Sequence, residues 1–168
     1  MRTFMALVTV VGVISLTTAQ ADVIKKEDVP KYINFLKSSP SAKVRASAAA
    51  DLGHRGAIRS SDVEDAIDPL INGLKADKDA EVRSACATAL GDIAIEPEKS
   101  VGALTEALKD KSPLVKMASI LALGQFADKA VSALQPLREI AKNKDDKKMS
   151  QAANASVKMI TGMGKKKN

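Results

Sequence analysis

The chain has 168 residues, of which 45% are hydrophobic and only 2% aromatic, with one histidine, one cysteine and a formal net charge of +6. A single His and a single Cys exclude the three- or four-ligand His/Cys sets of zinc-type sites, and so few rings remove the stacking platforms on which single-stranded nucleic acid is held. Length and apolar content are enough for one domain with a sizeable core.

Residues 1–21 read as a leader rather than as part of the fold. Arg2 supplies one positive charge, Phe4 to Leu16 is mostly apolar, and Ala19-Gln20-Ala21 is a small-x-small cleavage site before Asp22. The expectation is a removed signal peptide and a secreted or periplasmic product. The alternative is an uncleaved membrane anchor, for which the charge-free run from Thr3 to Ala21 is barely long enough.

The first helix begins near Asp28, with Val29, Tyr32, Ile33 and Leu36 on one face, and ends at Ser38-Ser39-Pro40. A second starts after Ser41 and reads VRASAAADLG from Val44 to Gly53, with His54 in the following turn and Gly56 as a stop signal. The next pair opens on a capping box, Ser61 with Glu64, and buries Val63, Ile67, Leu70, Ile71 and Leu74. Its second member follows Asp79 and reads VRSACATALG from Val82 to Gly91, with the stripe Val82, Cys86, Ala89, Leu90 and Ile93. A third pair runs from Pro97 through Val101, Leu104 and Leu108, then from Ser112 and Pro113 into VKMASILALG, Val115 to Gly124. The last runs from Ala130 through Val131, Leu134, Leu137 and Ile140, then past Asp146 into MSQAANASVK, which starts at Met149. Pro69 and Pro136 stand 13 residues before the anchors Val82 and Met149. They either kink their helices or open shorter ones.

One helix is therefore written four times, with its anchors Val44, Val82, Val115 and Met149 spaced by 38, 33 and 34 residues. Periods of this size mean stacked helical hairpins. Val-Arg/Lys, then small residues, then Leu-Gly resembles the HEAT-like repeats of the phycobilisome-lyase type, from roughly Glu27 to Ile160. The resemblance implies an all-α, right-handed α-solenoid of about four hairpins, each a helix A and a helix B, with the B helices lining the inner face. The fourth copy has Val157-Lys158 in place of Leu-Gly, as suits a capping repeat. The domain then spans residues 22–162, and the glycine- and lysine-rich residues 163–168 form a disordered tail.

Cys86 lies on a buried stripe and is most simply a packing residue, with an intermolecular disulfide as the alternative. His54 has no nucleophile or ligand set within reach of its pattern, so no catalytic, cofactor or metal residue is assigned. Arg45, Arg83 and Lys116 each follow an anchoring Val, and Asp77, Asp110 and Asp145 lie in the turns between. Two readings stay open: an inter-repeat ladder of ion pairs, each worth under about 1 kcal/mol if exposed, or a basic inner wall. On the second, the candidate contacts are Lys43, Arg45, Arg83, Lys116 and Lys148.

Net charge is +4 over residues 22–59, −7 over 60–110 and +8 over 111–168. The function expected is an exported interaction module or scaffold whose helix B face binds a partner protein, an acidic one where the lysines and arginines make the contact. The alternatives are a lyase-like or enzyme-accessory subunit, and an envelope protein held to anionic surfaces by Lys165, Lys166 and Lys167.

Overall fold

The computed structural model describes residues 23–143 and 145–162, and all regular structure among them is helical. The leader and the lysine tail lie outside the described residues. The helices are α1 (Val29–Ser38), α2 (Ala42–Ile58), α3 (Ile67–Ala76), α4 (Ala80–Ile93), α5 (Pro97–Ala107), α6 (Pro113–Gln125), α7 (Leu134–Lys142) and α8 (Lys147–Ile160). Consecutive helices pair as hairpins. The second members stack in order, α2 on α4, α4 on α6 and α6 on α8, while α1 packs on α3 and α3 on α5. This is an α-solenoid of four helical hairpins, and none of the described helices is long and apolar enough to cross a membrane.

The predicted stripes form the core. Val82, Cys86, Ala89, Leu90 and Ile93 of α4 are buried, as are Val115, Ser119, Ala122, Leu123 and Phe126 along α6 and its end. The B layer is tight because its facing residues are small. A Cβ placed on Gly53 would lie 2.8 Å from Ala89 Cα, and one on Gly91 would lie 2.7 Å from Ala122 Cα. Val44 departs from the pattern: it is 40% exposed, against 0% for Val82 and Val115. Its counterparts are buried against a preceding hairpin, and among the described residues α2 has none.

Several boundaries differ from the sequence reading. The helix α2 runs through Gly53 and Gly56 to Ile58, so His54 sits on a helix and Gly56 is no stop. Gly56 is instead a contact, since a Cβ there would collide with Ile93 and Val63. Its counterparts Ala94 and Ala127 do take left-handed backbone, with φ of 49° and 48°. The capping box does not form, because 60–62 and 64–66 are 3-10 turns and α3 begins at Ile67 with Ala66 as its N-cap. Pro69 and Pro136 fall in the first turn of the short helices α3 and α7, where no intrahelical bond is lost, so neither is a kink. A 3-10 segment, Ala127–Ala133, precedes α7 and leaves Val131 58% exposed, outside the core.

All four predicted caps occupy the N-cap position of their B helices. Asp79 accepts from the Glu81 amide at 2.8 Å and Asp146 from the Met149 amide at 2.9 Å, whereas Ser41 and Ser112 make no capping bond through their side chains.

Candidate partner-binding face

Three of the turns from helix A to helix B are closed by a side chain that accepts from the amide two residues on. Asp77 accepts from the Asp79 amide at 2.9 Å, Asp110 from the Ser112 amide at 2.8 Å and Asn143 from the Asp145 amide at 2.8 Å. Onto two of these turns the preceding repeat places an arginine. Arg45 grips Asp77 with Nε at 2.7 Å and Nη2 at 2.8 Å, and its Nη1 donates to the carbonyls of Ser39 and Pro40. Arg83 repeats this on Asp110 at 2.7 and 2.9 Å, with Nη1 on the carbonyls of Asp77 and Lys78. Both arginines are buried. The hydrogen bonds to the guanidinium groups hold the Asp77 and Asp110 carboxyls below the usual range.

Arg45 and Arg83 are therefore withdrawn from the candidate contacts: their forks are used inside the protein, at fixed bidentate geometry. The acceptor in the third turn is Asn143 rather than Asp145. Its partner position holds Lys116, which is half-buried and makes no ion pair with a described residue. Lys43 and Lys148 are exposed at the starts of α2 and α8.

The outer surface of the B layer changes character along the stack. On α4 it carries Glu81, Ser84, Thr88 and Asp92. On α6 the corresponding positions are Leu114, Met117, Leu121 and Gln125; Leu114 is 51% and Leu121 53% exposed. Leu114, Met117 and Leu121 lie at i, i+3 and i+7, one stripe of a helix. Met159 of α8 is half-exposed beside them, its sulfur 3.3 Å from where a Cβ on Gly124 would stand. Sequence reasoning missed this stripe because its residues were absorbed into a generally apolar α6, whose opposite face is core. The signal was there as the only copy with leucine both before its anchoring Val and six residues after it.

Asp92 on this surface and Asp51 on the adjoining side of α2 are half-buried, and desolvation raises both carboxyls, tempered by His54. Cys86 is fully buried and its thiol is pushed up to about 12, chiefly by burial, so it is neither nucleophile nor available for a disulfide. No group of His, Cys, Asp and Glu among the described residues could hold a metal ion. A groove of about 490 Å³ between α1 and α3, lined by Leu36, Lys37, Asp68, Pro69, Asn72 and Gly73 among others, has no nucleophile with a base beside it.

The family model for HEAT repeats matches residues 29–94 and 67–158. Among curated proteins nothing matches. Of the solved structures, the crystal structure of an engineered protein superposes with a TM-score of 0.65 at 23% identity, over 79% of this chain; the chain spans 62% of that protein's length. A designed armadillo repeat protein in complex with the peptide (KR)4 superposes with a TM-score of 0.63 at 18% identity, over 82% of this chain and 70% of that one. At these identities the likeness is one of fold.

Proposed function

The chain belongs to the HEAT-repeat family, and from that premise we propose that it is an exported interaction module that binds a partner protein on the outer surface of its B helices. The observation that carries this is the stripe of Leu114, Met117 and Leu121, its two leucines exposed and Met117 half-buried between them, in a layer whose apolar side chains are otherwise mostly covered. Exposed apolar side chains in line, with a polar rim, mark interaction sites. Here the rim is acidic on α4, through Glu81 and Asp92, and basic on α8, through Lys148.

The partner is thus held by apolar anchors first, with charge setting register and orientation. Lys43, Lys116 and Lys148 remain rim contacts. That a designed armadillo repeat protein of similar fold forms a complex with the peptide (KR)4 supports a protein or peptide as the occupant. Export rests on residues 1–21 and is tested by sequencing the N-terminus of the protein from its source, with Asp22 expected first.

The binding test is a cross-linked pull-down from the source cell with two variants. Leu121→Asp should abolish capture of the partner while the circular dichroism and melting temperature stay unchanged, since Leu121 is half in solvent. Lys37→Glu, on the opposite layer, should leave capture intact. Equal capture by both variants would refute the assignment of this face.

A further inference from the structure

Each internal interface of the B layer repeats one contact. Nine residues after its anchor a B helix carries glycine, which meets the residue seven after the anchor of the next helix: Gly53 against Ala89, Gly91 against Ala122 and Gly124 against Ser156. An added Cβ would stand 2.8, 2.7 and 3.0 Å away respectively. At the two ends of the stack these positions are charged, and with opposite sign. Lys158 occupies the glycine position of α8 and is exposed; Asp51 occupies the small-residue position of α2 and is half-exposed, whereas Ala89, Ala122 and Ser156 are buried.

A helix continuing the stack beyond α8 would set its seventh residue after the anchor against Lys158. On α2 that residue is Asp51. The same side of α2 holds Val44, Ser47, Asp51 and Ile58, at i, i+3, i+7 and i+14. Ile58 is 66% exposed, and Val44 is 40% exposed where Val82 and Val115 are fully covered by the hairpin before them. Among the described residues, the α2 end is an internal interface with its preceding half missing.

We propose that a second copy of this chain docks there, head to tail, with α8 of one copy against α2 of the next and Lys158 paired with Asp51. The Lys–Asp pair is larger than the Gly–Ala contact it replaces, which sets the two B helices toward the ~10 Å end of the usual interaxial range rather than ~8 Å. Both end segments are net basic, +4 and +8, so the encounter gains nothing from long-range steering. The contact is weak and depends on the local pair and the covered Val44. A heterologous contact of this kind leaves a free end on every assembly, so association is open-ended rather than dimeric.

Sedimentation velocity of the full chain over a range of concentrations tests this. The weight-average mass should rise with concentration past the dimer. Asp51→Lys and Lys158→Asp, each alone, set like charges face to face and should lower the association constant about tenfold. The double variant should restore it. A mass fixed at the monomer or the dimer, single reversals without effect, or a double variant that fails to recover would each overturn the proposal. A monomer in which Val44→Cys reacts slowly with a thiol reagent would show that the chain's own N-terminal residues cover this end, and would overturn it too.

Discussion

Arginine rather than lysine stands at residues 45 and 83 because the turn offers a planar carboxylate and two carbonyls, which a rigid five-donor fork can satisfy together. Where the carboxylate becomes Asn143, the cation becomes Lys116 and moves toward solvent, and the turn survives because an amide oxygen closes it equally well. Burial makes the arginine pairs more costly to break than the exposed pairs first expected. Asp110→Asn keeps the Ser112 contact but leaves Arg83 without its counter-charge, and should cost about 3 kcal/mol in urea denaturation at neutral pH. The folded-state values of Asp77 and Asp110 are lowered by their arginines. Their contribution is therefore complete above the unfolded carboxylate value of about 3.9 and is lost as pH falls through the folded values. The wild type should accordingly lose stability steeply below about pH 4, and Asp110→Asn less steeply. A slope unchanged by the substitution would contradict the role given to this pair.

The helices take their positions from signals of unequal strength. The N-caps stand where Ser and Asp were read, yet only the two aspartates bond the first turn, and the two serine turns are closed from two residues upstream. Gly56 was read as a stop and acts as a spacer, the role that Gly91 and Gly124 also have. Two glycines within helices separate these roles by experiment. Gly102 of α5 faces open space, so Gly102→Ala should gain about 0.5–1 kcal/mol of helix propensity. Gly91 of α4 has Ala122 Cα where its Cβ would go, so Gly91→Ala should lose about 1–3 kcal/mol of packing against the same propensity gain. Opposite shifts in melting temperature are the expected result; a stabilised Gly91→Ala would mean that α4 and α6 stand further apart than described.

Among the described residues the main contacts run between neighbouring helices, so stability is a sum over hairpins and their interfaces. The helices α4 and α6 have a B helix on both sides, while α2 and α8 have one. Amide hydrogen exchange should be slowest in α4 and α6, faster in α2, and fastest in α8, whose contact with α6 is the slightest in the layer. Uniform protection from α2 to α8 would instead indicate a single cooperative core. The same linear arrangement turns a charge sequence of +4, −7 and +8 into segments ordered along the stack.

The repeat, its all-helical class, the cap positions and the core stripes were legible in the sequence, because anchors such as Val82 and Leu90 recur at the period of a helix and any burial of that stripe yields the same stack. What only the tertiary structure decided depends on which neighbour a residue meets. Val44 and Val82 are the same letter in the same register, but among the described residues only Val82 has a preceding hairpin to cover it. Arg45 and Lys43 are both basic and two positions apart, but only Arg45 reaches the turn of the next repeat. Leu121 and Leu123 differ by two positions on α6, and that rotation of about 200° separates the surface from the core.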